Sequence, residues 1–229
     1  MLLTHKPQAL LFDLDGTLAD TIPQLAKAAR RTAEALGIAV PSLETTKGYV
    51  GNGIQLLLSR IICGRFEATT LDVEPELLKK AREYFNVFYT EGLKEDYVLY
   101  PHVVETLSYG REHGIKLAVV TNKPQMFAKP LLEHMGIAPY FDYILGGEVL
   151  AVKKPEVEPL LFVLDKLKVA TSEAVMVGDS ANDMLPALKL NMTSVFFTFG
   201  YCRGDITPTQ PTYKLSSYQE FLDLLKSLS

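Results

Sequence analysis

The chain has 229 residues, 48% of them hydrophobic and 22% charged, with 23 Lys and Arg against 27 Asp and Glu for a formal net charge of −4. That length corresponds to about one and a half domains of roughly 150 residues each, enough to bury a core without disulfide or metal staples. The composition excludes a wholly disordered, collagenous or coiled-coil chain, and the mild acidity argues against nucleic acid as a principal partner. No apolar run reaches the roughly 18 residues of a membrane span, so no membrane association is expected. The two cysteines, Cys63 and Cys202, form no CxxC or Cys/His cluster and are expected to be reduced thiols. The start, MLLTHKPQALLFDLDG, lacks a signal-peptide layout, and the expectation is a cytoplasmic protein.

In chain order, the first element is the apolar run ALLFDL (9–14). It is rich in Leu and Phe without clean alternation, which predicts a strand buried on both faces. TIPQLAKAARRTAEALG follows as a helix, with Thr21 as N-cap, Gln24 three residues later, Pro23 early and Gly37 as its stop. GIQLLLSRII and PELLKKAREYFNVFY read as further amphipathic helices. Residues 20–92 hold no strong strand pattern and are too long for a crossover. They are expected to be an inserted helical lobe, with the short stretches LAD and EGLKEDY as hinges. The remainder, 1–19 and 93–229, is expected to form the core. There HVVETLSYGREHG predicts a helix ending at Gly114, KLAVVT (116–121) a strand, PEVEPLLFVLDKLK a helix, and AVMVGD (174–179) and SVFFTF (194–199) two more strands. Strands alternating with helices predict an α/β class with a parallel sheet.

Four polar groups close these strands. Asp13-Leu14-Asp15-Gly16-Thr17-Leu18 follows the first. A period of two puts Asp13 and Asp15 on one face where the strand ends, the edge at which open α/β sheets bind ligands. Two acids so close repel, and positive charge must compensate. Thr121, Asn122 and Lys123 end the second strand, where a hydroxyl and adjacent backbone N–H groups can hold phosphate oxygens. Lys154, fixed by Pro155, offers a positioned point charge, although its neighbour Lys153 is an equal candidate by composition. Asp179 and Asp183 flank a strand-to-helix turn in GDSAND and offer oxygen ligands of the kind Mg²⁺ takes.

In this order the four groups resemble the haloacid dehalogenase superfamily: DxDGT, a Thr-Asn loop, Lys-Pro, and GDSxxD. The match runs the length of the chain and implies a Rossmann-like core with an inserted helical cap. Within the superfamily the chain is most similar to the phosphoglycolate phosphatases, through Tyr49-Val50-Gly51-Asn52-Gly53, Leu99-Tyr100-Pro101 and Lys154-Pro155 followed by Pro159-Leu160-Leu161. It departs from them at His102, where glycine is more usual, and at Val157, where proline is.

The resemblance implies a phosphomonoester hydrolase with Asp13 as nucleophile and Asp15 as acid and then base. It implies Mg²⁺ held by Asp13, the Asp15 carbonyl and Asp179, with Asp183 beside them. It further implies a phosphate cradle of Gly16, Thr121, Asn122 and Lys154. Lys47, Asn52, Gln55 and Arg60 are the cap residues expected to read the leaving group, since a carboxylate wants cations or amide donors. The expected substrate is a small phosphate ester, 2-phosphoglycolate first, taken by a monomer or homodimer. The alternatives are a sugar phosphomutase of the β-phosphoglucomutase type, a pyrophosphatase or a nucleotidase of the same superfamily.

Overall fold

The structure, a computed structural model, describes residues 3–201 and 206–228. Cys202 lies outside them; Cys63 is a half-buried free thiol. The chain divides into two compact units, Met1–Ala19 with Leu99–Ser229, and Asp20–Val98.

Strand β1 (Ala9–Phe12) opens the first unit and β2 (Ala19–Asp20) leaves it. The second unit contains α1 (Ile22–Leu36), α2 (Leu43–Tyr49), α3 (Ile54–Cys63) and α4 (Pro75–Glu91). The chain returns through β3 (Val98–Leu99), and the core continues with α5 (Val103–Glu112), β4 (Lys116–Pro124), α6 (Gln125–His134), β5 (Tyr143–Gly147) and α7 (Glu158–Leu167). It ends with β6 (Ala174–Gly178), α8 (Ala181–Lys189), β7 (Thr193–Phe197), β8 (Tyr213–Leu215) and α9 (Tyr218–Ser227).

The core is an α/β structure built on a six-stranded sheet in the order β5-β4-β1-β6-β7-β8, parallel throughout. Alternate residues of the central strands bury opposite faces. Ala9, Leu11, Ala118, Val120 and Met176 join one apolar cluster with Leu160, Val163, Leu164 and Leu167 of α7. Leu10, Phe12, Leu117, Val119, Val175 and Val177, between them in sequence, are equally buried. This double burial is why these strands read as continuous apolar runs. The two strands of this sheet that the patterning does not reveal, β5 and β8, are its edges, and both are only partly buried. With one side unpaired they need no such run.

The second unit forms its helices where the periodicity places them. Ile22, Leu25, Ala29 and Ala33 are buried along α1, and Gly37 closes that helix in the left-handed conformation at φ 68°. The expected cap differs: the Thr21 side chain accepts no hydrogen bond from the first turn. Gln24 instead turns inward, its amide donating to Leu93 O (2.9 Å) and Glu95 O and accepting from the Tyr89 hydroxyl (3.2 Å). A buried amide satisfied by two carbonyls and a phenol is a strong local anchor. These bonds tie residues 93–95 to α1, so the helical unit runs to Val98.

Candidate active site

The groups singled out in the sequence converge at the carboxyl ends of the central strands. Because β1 lies between β4 and β6, the chain leaves it toward one side of the sheet and later returns on the other. This is the crevice where open α/β sheets bind ligands.

Asp13 follows β1 and continues its ladder, its N–H donating to Val177 O (3.0 Å). Its Oδ1 accepts from the Leu14 N–H (2.7 Å) and lies 3.2 Å from Lys154 Nζ. Its Oδ2 has no hydrogen-bond partner among the described residues, and the side chain is 14% exposed. Asp179 follows β6 and Asp183 lies in the first turn of α8. One carboxylate oxygen from each of Asp13, Asp179 and Asp183 falls within 4.8 Å of the others.

Lys154 is buried, with Nζ 2.6 Å from Asp183 Oδ1, whereas Lys153 is exposed. That burial separates two lysines which composition could not. The other oxygen of Asp183 accepts from the N–H and hydroxyl of Ser180 (3.0 and 2.8 Å). Gly178 allows this close approach, since a Cβ there would sit 2.3 Å from Asp183 Cγ.

The electrostatics reflect three carboxylates around one ammonium. Burial pushes Asp13 up to about 6, Lys154 and the Leu14 N–H opposing and the charges of Asp183 and Asp15 adding. Burial also raises Asp179 well above the usual carboxylate range, reinforced by Asp183 and Asp13. Burial opposes the charge on Lys154, but Asp13 and Asp183 outweigh it and hold its ammonium above the ordinary lysine value. A divalent cation would resolve this imbalance. Three oxygen donors from carboxylates are the hard ligand set that Mg²⁺ and its relatives prefer, so these residues fit such an ion.

Asp15 stands apart from the acidic cluster. Its Oδ1 pairs with the buried Lys123 Nζ at 2.9 Å. Lys123 was visible in the sequence only as the end of a strand; its partner is 108 positions away.

Three of the expected site residues make contacts of their own in the structure. The Gly16 N–H is donated to Ala19 O (2.9 Å), inside the turn, and is spent there. Gly16 is required by its φ of 83° and by Asp179 Oδ2, which would lie 2.5 Å from a Cβ. The Asn122 amide donates to the backbone carbonyl of Lys154 (2.9 Å) and so steadies the lysine. Arg60 is buried in the helical unit, donating to Phe66 O and Tyr49 O (both 2.8 Å) with its guanidinium 4.3 Å from the Phe66 ring centroid. It clamps α3 to its neighbours, because a buried guanidinium must have its donors satisfied. Thr121, also buried, accepts from the Lys123 N–H (3.2 Å) through its hydroxyl. In the helical unit Lys47 lies in α2, Asn52 in the turn that follows, and Gln55 is exposed on α3.

Thr17 and Tyr201 were not anticipated. The Thr17 hydroxyl donates to Asp179 Oδ1 (3.1 Å) and the Tyr201 N–H to Asp179 Oδ2 (2.6 Å). Thr17 belongs to the DxDGT group; Tyr201 carries no local signal, being far from it in sequence.

A family profile described as haloacid dehalogenase-like hydrolase matches residues 10–197. The chain is 39% identical over 217 residues to the phosphoglycolate phosphatase of Vibrio parahaemolyticus, covering 94% of this chain and 95% of that one. It is 39% identical over 223 residues to the phosphoglycolate phosphatase of Colwellia psychrerythraea, covering 97% and 98%. The crystal structure of a predicted phosphoglycolate phosphatase from Haemophilus somnus superposes with a TM-score of 0.86 at 29% identity, covering 95% of this chain and 97% of that one. Among the described residues no helix is long and apolar enough to cross a membrane. With four motif groups gathered at one sheet edge and relatives matched over nearly their whole length, the chain belongs to the haloacid dehalogenase-like hydrolases and stands among phosphatases.

Proposed function

We propose that this chain hydrolyses a small phosphate monoester, 2-phosphoglycolate first, through an aspartyl-phosphate on Asp13 and with Mg²⁺ as its metal. One observation carries the reading. Asp13 presents one carboxylate oxygen to Lys154 and Leu14 and leaves the other without a partner among the described residues. It does so at the sheet edge beside two further carboxylates. A carboxylate held by one oxygen is oriented as a nucleophile through the other.

In the first step Asp13 Oδ2 bonds to phosphorus and the bond from phosphorus to the ester oxygen breaks. Asp15, which must enter this step protonated, gives that oxygen its proton, and the alcohol leaves. In the second step Asp15, now a carboxylate, takes a proton from water. The hydroxide attacks phosphorus, the Asp13–phosphorus bond breaks, and inorganic phosphate is released. Lys154 neutralises phosphoryl oxygens throughout, and the Thr121 hydroxyl can donate to another. Asp13, Asp179 and the backbone carbonyl of Asp15 would hold the metal, with Asp183 beside them. When bound, it supplies positive charge to the transferring phosphoryl group. Lys123 engages the Asp15 side chain outside the acidic cluster, which supports a role for that carboxyl other than holding the metal. Lys47, Asn52 and Gln55 are the proposed readers of the leaving group.

The test uses the full chain, stripped with EDTA and resupplied with Mg²⁺, against 2-phosphoglycolate, hexose phosphates, pyrophosphate and nucleotides. Metal-dependent phosphate release, fastest from 2-phosphoglycolate, is the expected result. Conversion of a hexose phosphate to its isomer without phosphate release would replace hydrolysis by mutase chemistry.

A further inference from the structure

We propose that Thr17 and the Gly200–Tyr201 backbone are positioning elements that fix the Asp179 carboxylate for its metal; this rests on the reading of Asp179 as a ligand. The two oxygens are addressed separately. Oδ1 accepts from Thr17 Oγ1 at 3.1 Å and Oδ2 from the Tyr201 N–H at 2.6 Å. Both Thr17 and Asp179 are buried. A carboxylate has about four lone-pair sites, so two donors set its plane and still leave room for a cation.

Backbone completes the enclosure. A Cβ at Gly16 would lie 2.5 Å from Asp179 Oδ2, and one at Gly200 would lie 2.2 Å from Asp179 Cβ and 2.3 Å from Oδ2. None of these three distances is open to a non-bonded Cβ, and in both cases the obstacle is a buried, hydrogen-bonded side chain. Asp179 is therefore packed between two chain segments that can approach it only as glycine. The segments are also pinned to each other. The Tyr201 hydroxyl lies 3.4 Å from Ala19 O, and its ring edge would be 2.9 Å from a Cβ on Gly16. The turn after β1, the end of β6 and the stretch after β7 thus meet on one carboxylate. Partners that orient a ligand from behind are worth about 10–100-fold in metal affinity.

Mn²⁺ titrated calorimetrically into the metal-stripped full chain tests this without relying on turnover. Thr17→Val and Gly200→Ala are each expected to weaken Mn²⁺ binding by about tenfold or more, and Thr17→Ser, which keeps the hydroxyl, to restore it. Should Gly200→Ala not fold, Thr17→Val and its serine rescue decide. Wild-type affinity in Thr17→Val, or a serine variant as weak as the valine, overturns the proposal while Asp179→Ala still abolishes binding. Wild-type affinity in Asp179→Ala overturns the ligand reading itself, and this proposal with it.

Discussion

Lys123 and Asp15, 108 positions apart, meet as a partly buried ion pair of 2.9 Å. The Asp15 side chain is thereby engaged outside the cluster of Asp13, Asp179 and Asp183. If Lys123 acts through Asp15, its loss should matter most where the departing group needs a proton. Lys123→Met is expected to lower kcat by about 10–100-fold on an alkyl phosphate, within the range that positioned acid–base groups contribute. The loss on p-nitrophenyl phosphate, whose leaving group needs little protonation, should be much smaller. Parallel kinetics on both esters check this; an equal loss on each points away from Asp15.

Asp13→Asn is expected to abolish phosphate release while leaving the fold intact. The amide keeps the size of the carboxylate and removes a charge that burial already disfavours. Thermal melting of the metal-free variant should match or exceed that of the parent. Retained turnover would move the nucleophile elsewhere.

His102 begins α5 at φ 65°, a left-handed conformation that a side chain resists. This is the position where the resemblance led us to expect glycine. His102→Gly is expected to stabilise the core by about 1 kcal/mol, the strain relieved exceeding glycine's extra freedom in the unfolded chain. Urea unfolding measures it; a destabilised variant would mean that the exposed 3.6 Å contact with Glu105 outweighs the strain.

Asp72 accepts from the Thr69 N–H and hydroxyl (both 2.8 Å) and pairs with Arg65. The Thr69 N–H first, then its hydroxyl and Arg65, lower its carboxyl from 3.8 to about 2. A group with a depressed folded value contributes stability that is present above the unfolded value and is lost as pH falls toward the folded one. Asp72→Asn should therefore lower the urea midpoint at pH 7, and the gap from the parent should narrow between about pH 4 and pH 2. A constant gap across that range would assign the effect to packing rather than charge.

The sequence by itself determined the class of the core and the places where chemistry gathers. Runs such as ALLF and AVMVG are legible because a central parallel strand is buried on both faces and is therefore mostly apolar. The polar groups that end them are conspicuous for the same reason. Edge strands β5 and β8 escape this logic, having one side unpaired. What the tertiary structure alone decided is which polar atoms face one another. Lys154 rather than Lys153 is buried against Asp183, Lys123 reaches Asp15, and the Tyr201 N–H closes on Asp179. The Gly16 N–H is consumed by its own turn, and Arg60 by two carbonyls. Periodicity reports the side of an element on which a residue lies. Hydrogen bonds between residues distant in sequence depend on how strands and turns come together in space, and no local pattern encodes that.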